Sequence, residues 1–151
     1  MSGFFKRIGG WLAAVLTTVI LGIGLQTQNV LAQLEGIGAD VALADRLSMT
    51  FYDLQYLGSL YVIFVGISLA IAFLIGGLVF RLVKLGRPII HSAAGAAALL
   101  TMLLGMKEAF FGVHLIAGAS DGLGIGLQML AGAVGGFVFA KINRPDLQPE
   151  L

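Results

Sequence analysis

Four long apolar blocks, each almost free of charge, set the main constraint on this chain, because ionised side chains are expensive inside hydrocarbon. The strongest, Leu57 to Phe80, runs 24 residues without a charge and is rich in Ile, Leu, Val and Phe. As a helix it is about 36 Å long and can cross a bilayer with some tilt. Four spans of about 20 residues take roughly 80 positions, leaving little for a soluble domain. The composition agrees, with 58% hydrophobic and only 11% charged residues and a mean hydropathy of +0.98. The expected fold is an all-α integral membrane protein, a four-transmembrane-helix bundle. It forms a single membrane domain over residues 1–151, with spans near 8–26, 57–80, 88–107 and 122–141.

Charge is sorted by sign between the blocks. Seven of the nine basic residues (Lys6, Arg7, Arg81, Lys84, Arg87, Lys141, Arg144) fall in three short segments, and six of the eight acids (Glu35, Asp40, Asp45, Asp53, Glu108, Asp121) fall in the other two. Under the positive-inside rule the N-terminus, middle turn and C-terminus lie in the cytoplasm. The layout is that of a multi-pass protein of a bacterial-type plasma (inner) membrane. Arg81, Lys84 and Arg87 read as headgroup contacts that also fix topology. Basic residues in twos and threes beside spans give nucleic-acid binding no support.

The chain has no cysteine, which excludes disulfides, thiolate catalysis and thiolate metal sites. His91 and His114 lie 23 residues apart, about 35 Å along a continuous helix, too far for one haem in one chain. No cofactor and no metal are expected. His91 beside the basic turn reads as an interfacial hydrogen-bonding residue.

The first block begins with Lys6 and Arg7 and runs apolar to Leu25. A cleaved signal ending near Val30-Leu31-Ala32 is the alternative to a retained span. Trp11, Tyr52 and Tyr56 read as interface anchors. From Gln26 to Tyr56, Leu34, Ile37, Val41, Ala44, Leu47, Phe51 and Leu54 recur at helical spacing, with Gly36 and Gly38 at the frayed start. The pattern predicts an amphipathic external segment between the first two spans, lying on the bilayer surface or over the bundle mouth. A small substrate site at the outer mouth, using Tyr52, Asp53 or Tyr56, is the minority alternative.

Pro88 suits the first turn of the third helix. A span of about 20 residues from there puts Lys107 and Glu108 at the outer interface, where Lys107 snorkels and Glu108 stays hydrated. Because apolar character resumes from Ala109 to Ile116, a span shifted to about 97–116 would instead place the pair near the midplane and mark a transport path. Asp53, Lys107, Glu108, His114 and Asp121 are the candidate polar cluster at the outer face, with His114 able to titrate near neutral pH beside carboxylates.

Asp121 and Ser120 are suited to cap the fourth helix. Gly118, Gly122 and Gly126 are spaced by four, as are Gly132, Gly136 and Ala140. Such rows let another helix approach closely. The expected partner is the alanine face of the third span (Ala94, Ala97, Ala98) or a second copy of the chain.

Three functions compete. The first is a non-enzymatic subunit, oligomeric or accessory, that packs against other membrane helices, its partners being the bilayer and either copies of itself or other membrane subunits. The second is a small channel or transporter with Lys107, Glu108 and His114 in a polar path, helped by Thr17, Thr18, Gln26, Ser59, Ser68, Thr101 and Gln128. The third is a lipid-processing enzyme using Asp53, Glu108, His114 and Asp121.

Overall fold

The computed structural model describes residues 2–83, 85–109 and 121–143, which form five helices and no strand. They are α1 (Ser2–Gly36), α2 (Leu43–Tyr56), α3 (Gly58–Leu82), α4 (Arg87–Ala109) and α5 (Gly122–Ile142). Four of them, α1, α3, α4 and α5, are long and apolar enough to cross a membrane. The chain thus has the architecture of a small helical membrane protein.

The first helix overruns its expected span. At 35 residues it is about 52 Å long, and it passes through Gln26 without a break. It ends where Gly38 adopts φ +96, a left-handed conformation that glycine adopts without a Cβ clash. Leu34 therefore belongs to α1, and the amphipathic helix begins only at Leu43. At its start, Asp45 Oδ2 accepts from the Ala42 N–H at 3.3 Å, as in half of a capping box.

The second difference concerns direction. Leu57, between α2 and α3, keeps right-handed helical dihedrals. Hydrogen bonds run through the joint, from Leu57 N–H to Asp53 O at 2.9 Å and from Tyr61 N–H to Leu57 O at 3.0 Å. The neighbours of α1 form a steady antiparallel series: Trp11 beside Gly66, Gly22 beside Tyr61, Ile23 beside Gly58, Thr27 beside Asp53, Gln28 beside Thr50 and Glu35 beside Arg46. So α2 does not lie across the bundle mouth. It continues the line of α3 along the far end of α1, because its polar side (Arg46, Thr50, Asp53) finds partners there. Leu47 and Phe51 are left facing outward, Phe51 at 71% exposure.

In the bundle, α5 lies against both α1 and α4. Gly135 meets Ala14 and Thr18 of α1, while Gly132 and Gly136 meet the backbone of α4. A Cβ built at Gly95 would overlap the Gly132 carbonyl, and one at Gly136 would overlap the His91 carbonyl. Two backbones this close leave room only for hydrogen at Cα. Val65, Leu69, Leu99 and Ala14 are fully buried at the centre. Along α3, by contrast, Ile63, Ile67, Leu74 and Leu78 point outward, Leu74 at 73% exposure. A band of that size would be an association hazard in water and is ordinary surface in lipid.

The alternating helix directions collect Lys6, Arg7, Arg81, Arg87 and Lys141 at one end of the bundle. Glu35, Asp40, Asp45, Asp53, Glu108 and Asp121 gather at the other.

Candidate functional site

The acidic end carries the most polar chemistry, and α1 organises it. Arg46 of α2 donates to Gln28 Oε1 at 2.8 Å and pairs with Glu35 Oε1 at 2.5 Å. Gln28 Nε2 in turn donates to Thr50 Oγ1 at 3.3 Å. One turn further along, the Thr27 hydroxyl lies 2.7 Å from Asp53 Oδ2 and 3.0 Å from its own helix carbonyl at Ile23. It has a single hydrogen, and the shorter, charge-assisted contact to Asp53 is the stronger acceptor.

Beside this pair is a cleft of about 320 Å³ walled by Val30, Leu31, Leu34, Met49 and Leu57, with Gln26, Thr27, Tyr52 and Asp53 as its polar lining. Gln26 is only 7% exposed as a residue, and it is part of the lining of this cleft. The rings of Tyr52 and Tyr56 lie 4.3 Å apart at the rim. Both tyrosines are exposed.

The five residues expected as one polar cluster are dispersed. Asp53 belongs to the cleft. Asp121 caps α5, accepting from Gly124 N–H at 2.9 Å and from Asn29 Nδ2 at 3.4 Å. Lys107, half-buried, and Glu108, exposed, occupy the last turn of α4. The α4–α5 register set by Gly95–Gly132 and His91–Gly136 puts that turn level with the start of α5, at the acidic end. Among the described residues no ion pair or hydrogen bond joins Lys107, Glu108, Asp53 and Asp121 to one another. His114 lies outside the described residues, as do Gly118 and Lys84.

Polar groups deeper in the bundle are spent on helix contacts. Gln128 is completely buried; its Nε2 donates to the Gly22 carbonyl at 2.9 Å, and its Oε1 accepts from the Tyr61 hydroxyl. One amide thereby ties α5 to α1 and α3. Tyr61 was not singled out by sequence reasoning, although it is the one tyrosine set inside an apolar span. Thr17 back-bonds to Ala13 O at 2.8 Å, and Ser59 to Tyr56 O at 3.5 Å. Trp11, expected as an interface anchor, is half-buried and turned to α3. Its indole N–H donates to the Gly66 carbonyl at 3.2 Å, where the glycine admits the ring.

At the basic end His91, expected as an interfacial hydrogen-bonding residue, is buried within the bundle. Its Nδ1 lies 2.9 Å from Arg87 O, and its ring sits beside Phe73 and Phe139, which stack at 4.2 Å. Arg87 lies over Phe80 at 5.7 Å and Lys141 over Phe137 at 5.2 Å, each a cation–π contact. Arg81 is exposed. Among the described residues no group of three or more His, Asp or Glu has the arrangement of a metal site.

The small-residue positions divide in the same way. A methyl group placed on Gly122 or Gly126 would meet nothing within 4 Å, whereas Gly132, Gly136 and Ala140 are buried in the bundle. Ala94 faces Gly76 of α3, and Ala98 is in the core. No protein-family model, curated protein or solved structure matches this chain.

Proposed function

We propose that this protein is a non-enzymatic membrane subunit that packs against other membrane helices, in the first instance those of a second copy. In this reading it is a multi-pass protein of a bacterial-type inner membrane, with the basic end and both termini cytoplasmic. The sorted charge supports that orientation, and the placement of Lys107 and Glu108 at the bundle end supports an interfacial position for them.

The observation that carries the reading is the outer face of α4. Ala93, Ala97, Thr101 and Gly105 recur every fourth residue, and all are exposed. Ala97, Thr101 and Gly105, with Ser68 of α3, help to line a groove of about 450 Å³ between α3 and α4. The exposed faces of α3 and α1, by contrast, carry larger side chains such as Ile63, Ile67, Leu74, Leu12, Leu16 and Ile20. Small residues lower van der Waals contact with lipid and favour close approach of a helix. Ser68 and Thr101, moreover, have no hydrogen-bond partner among the described residues, and a hydroxyl in hydrocarbon gains from a facing acceptor. Two copies related by a two-fold axis would bring this face onto itself.

The channel reading has less support. Thr17, Thr18, Ser59 and Gln128 are directed at separate neighbours, not at a common path. Cysteine crosslinking tests the proposal, since the chain has no native thiol. Oxidation of Thr101→Cys in native membranes is expected to give a species of twice the chain mass, and Leu74→Cys is expected to give none. A heavier adduct with another polypeptide would make the protein an accessory subunit. Only monomer at Thr101→Cys would contradict the proposal.

A further inference from the structure

We infer that the cleft between α1 and α2 at the acidic end is a binding site for a small amphiphilic amine, a cationic head on an apolar body. Three observations point to this ligand class. Among the described residues, Asp53 is the only charged one lining the cleft, and Thr27 is its one side-chain hydrogen-bond donor. A carboxylate has about four acceptor positions, so several stay open toward the cleft. Second, Gln26 lines the same space and is more than nine-tenths buried as a residue. Its amide carbonyl is a further acceptor in the same lining. Tyr52 completes the polar side with an aromatic ring, a surface that attracts organic cations.

The remaining walls select the rest of the ligand. Val30, Leu31, Leu34, Met49 and Leu57 form an apolar body pocket. The volume of about 320 Å³ is at the small end of ligand sites and equals about ten waters of liquid. An anionic ligand does not fit, because none of the described basic side chains lines the cleft. Arg46, two turns along α2, is held by Glu35 and Gln28. The site uses none of the α4 face, so it stands or falls independently of the subunit reading.

The test uses the full chain in nanodiscs of zwitterionic lipid, with 3-phenylpropylamine as probe, 3-phenylpropanol as its uncharged counterpart, and empty discs subtracted. Saturable binding of the amine is expected by calorimetry. Asp53→Asn keeps an acceptor for Thr27 and is expected to weaken amine binding at least about ten-fold, the size of a lost charge-assisted contact, and to weaken alcohol binding by much less. Met49→Trp fills the cleft and is expected to weaken both probes, and Asp53→Glu to retain the preference for the amine. Circular dichroism verifies that each variant is folded. If Asp53→Asn does not fold, the comparison of amine with alcohol in the wild type and in Met49→Trp decides. Equal binding of amine and alcohol, amine binding unaffected by Asp53→Asn or by Met49→Trp, or no saturation above empty discs would overturn the assignment.

Discussion

The α4–α5 seam and the α1–α2 ladder join helices by opposite means. At the seam, Gly95, Gly132 and Gly136 bring two backbones together with no side chain between them. Along the ladder, Arg46, Thr50 and Asp53 reach side chains of α1 through hydrogen bonds and one ion pair. Hydrocarbon gives helices no hydrophobic reason to associate, so close van der Waals contact and a few buried hydrogen bonds must do so. Near water, polar side chains can be solvated either way, and each such contact contributes little. The seam should therefore hold the fold, and the ladder should set only the position of α2.

The harshest test of that contrast is Gly136→Leu, whose side chain would start on the His91 carbonyl. It is expected to destabilise the bundle by about 3 kcal/mol or to prevent folding, read by unfolding in mixed micelles followed by circular dichroism. The same change at Gly126, which has open space around it, should alter stability by less than about 1 kcal/mol. A similar loss at both sites would mean that the glycines serve composition and not contact.

Gln128→Leu comes next. It removes the donation to Gly22 and leaves the Tyr61 hydroxyl buried without an acceptor, which should destabilise by about 1–2 kcal/mol in the same assay. Tyr61→Phe combined with Gln128→Leu should recover part of that loss, since both polar groups are then gone. The smallest effect belongs to the ladder. Arg46→Ala is expected to change global stability by at most about 1 kcal/mol and to lose that effect in high salt. Hydrogen exchange should quicken in α2 and stay unchanged in α4 and α5.

The apolar helices were legible because hydrocarbon demands long charge-free runs, and Leu57 to Phe80 could hardly be anything else. The end of α1 was not. Gln26-Thr27-Gln28-Asn29 reads locally as an exit from the membrane, but the helix continues because α2 offers partners to Thr27 and Gln28 from 26 and 22 residues away. The glycine spacing in α5 predicted close approach without revealing the neighbour. Which glycines are used depends on helix register, which depends on every facing residue at once. The cleft was visible only in outline: Tyr52 and Asp53 were legible as outer-mouth residues, while Gln26 was suggested for a channel wall. The presence of Gln26 and Asp53 in one cleft depends on α2 standing along α1, and amphipathic spacing does not set a helix's tilt.

Thiol labelling most directly tests the proposal that the basic end faces the cytoplasm and that the charges stay at the two membrane boundaries. Asp45→Cys, Glu108→Cys and Leu85→Cys place single thiols at the acidic end, the end of α4 and the basic turn of a chain with none of its own. A membrane-impermeant maleimide applied to intact cells should label Asp45→Cys and Glu108→Cys, and Leu85→Cys only after permeabilisation. Labelling of Leu85→Cys from outside would reverse the orientation. Protection of Glu108→Cys on both sides would put a charge inside the hydrocarbon and contradict the arrangement outright.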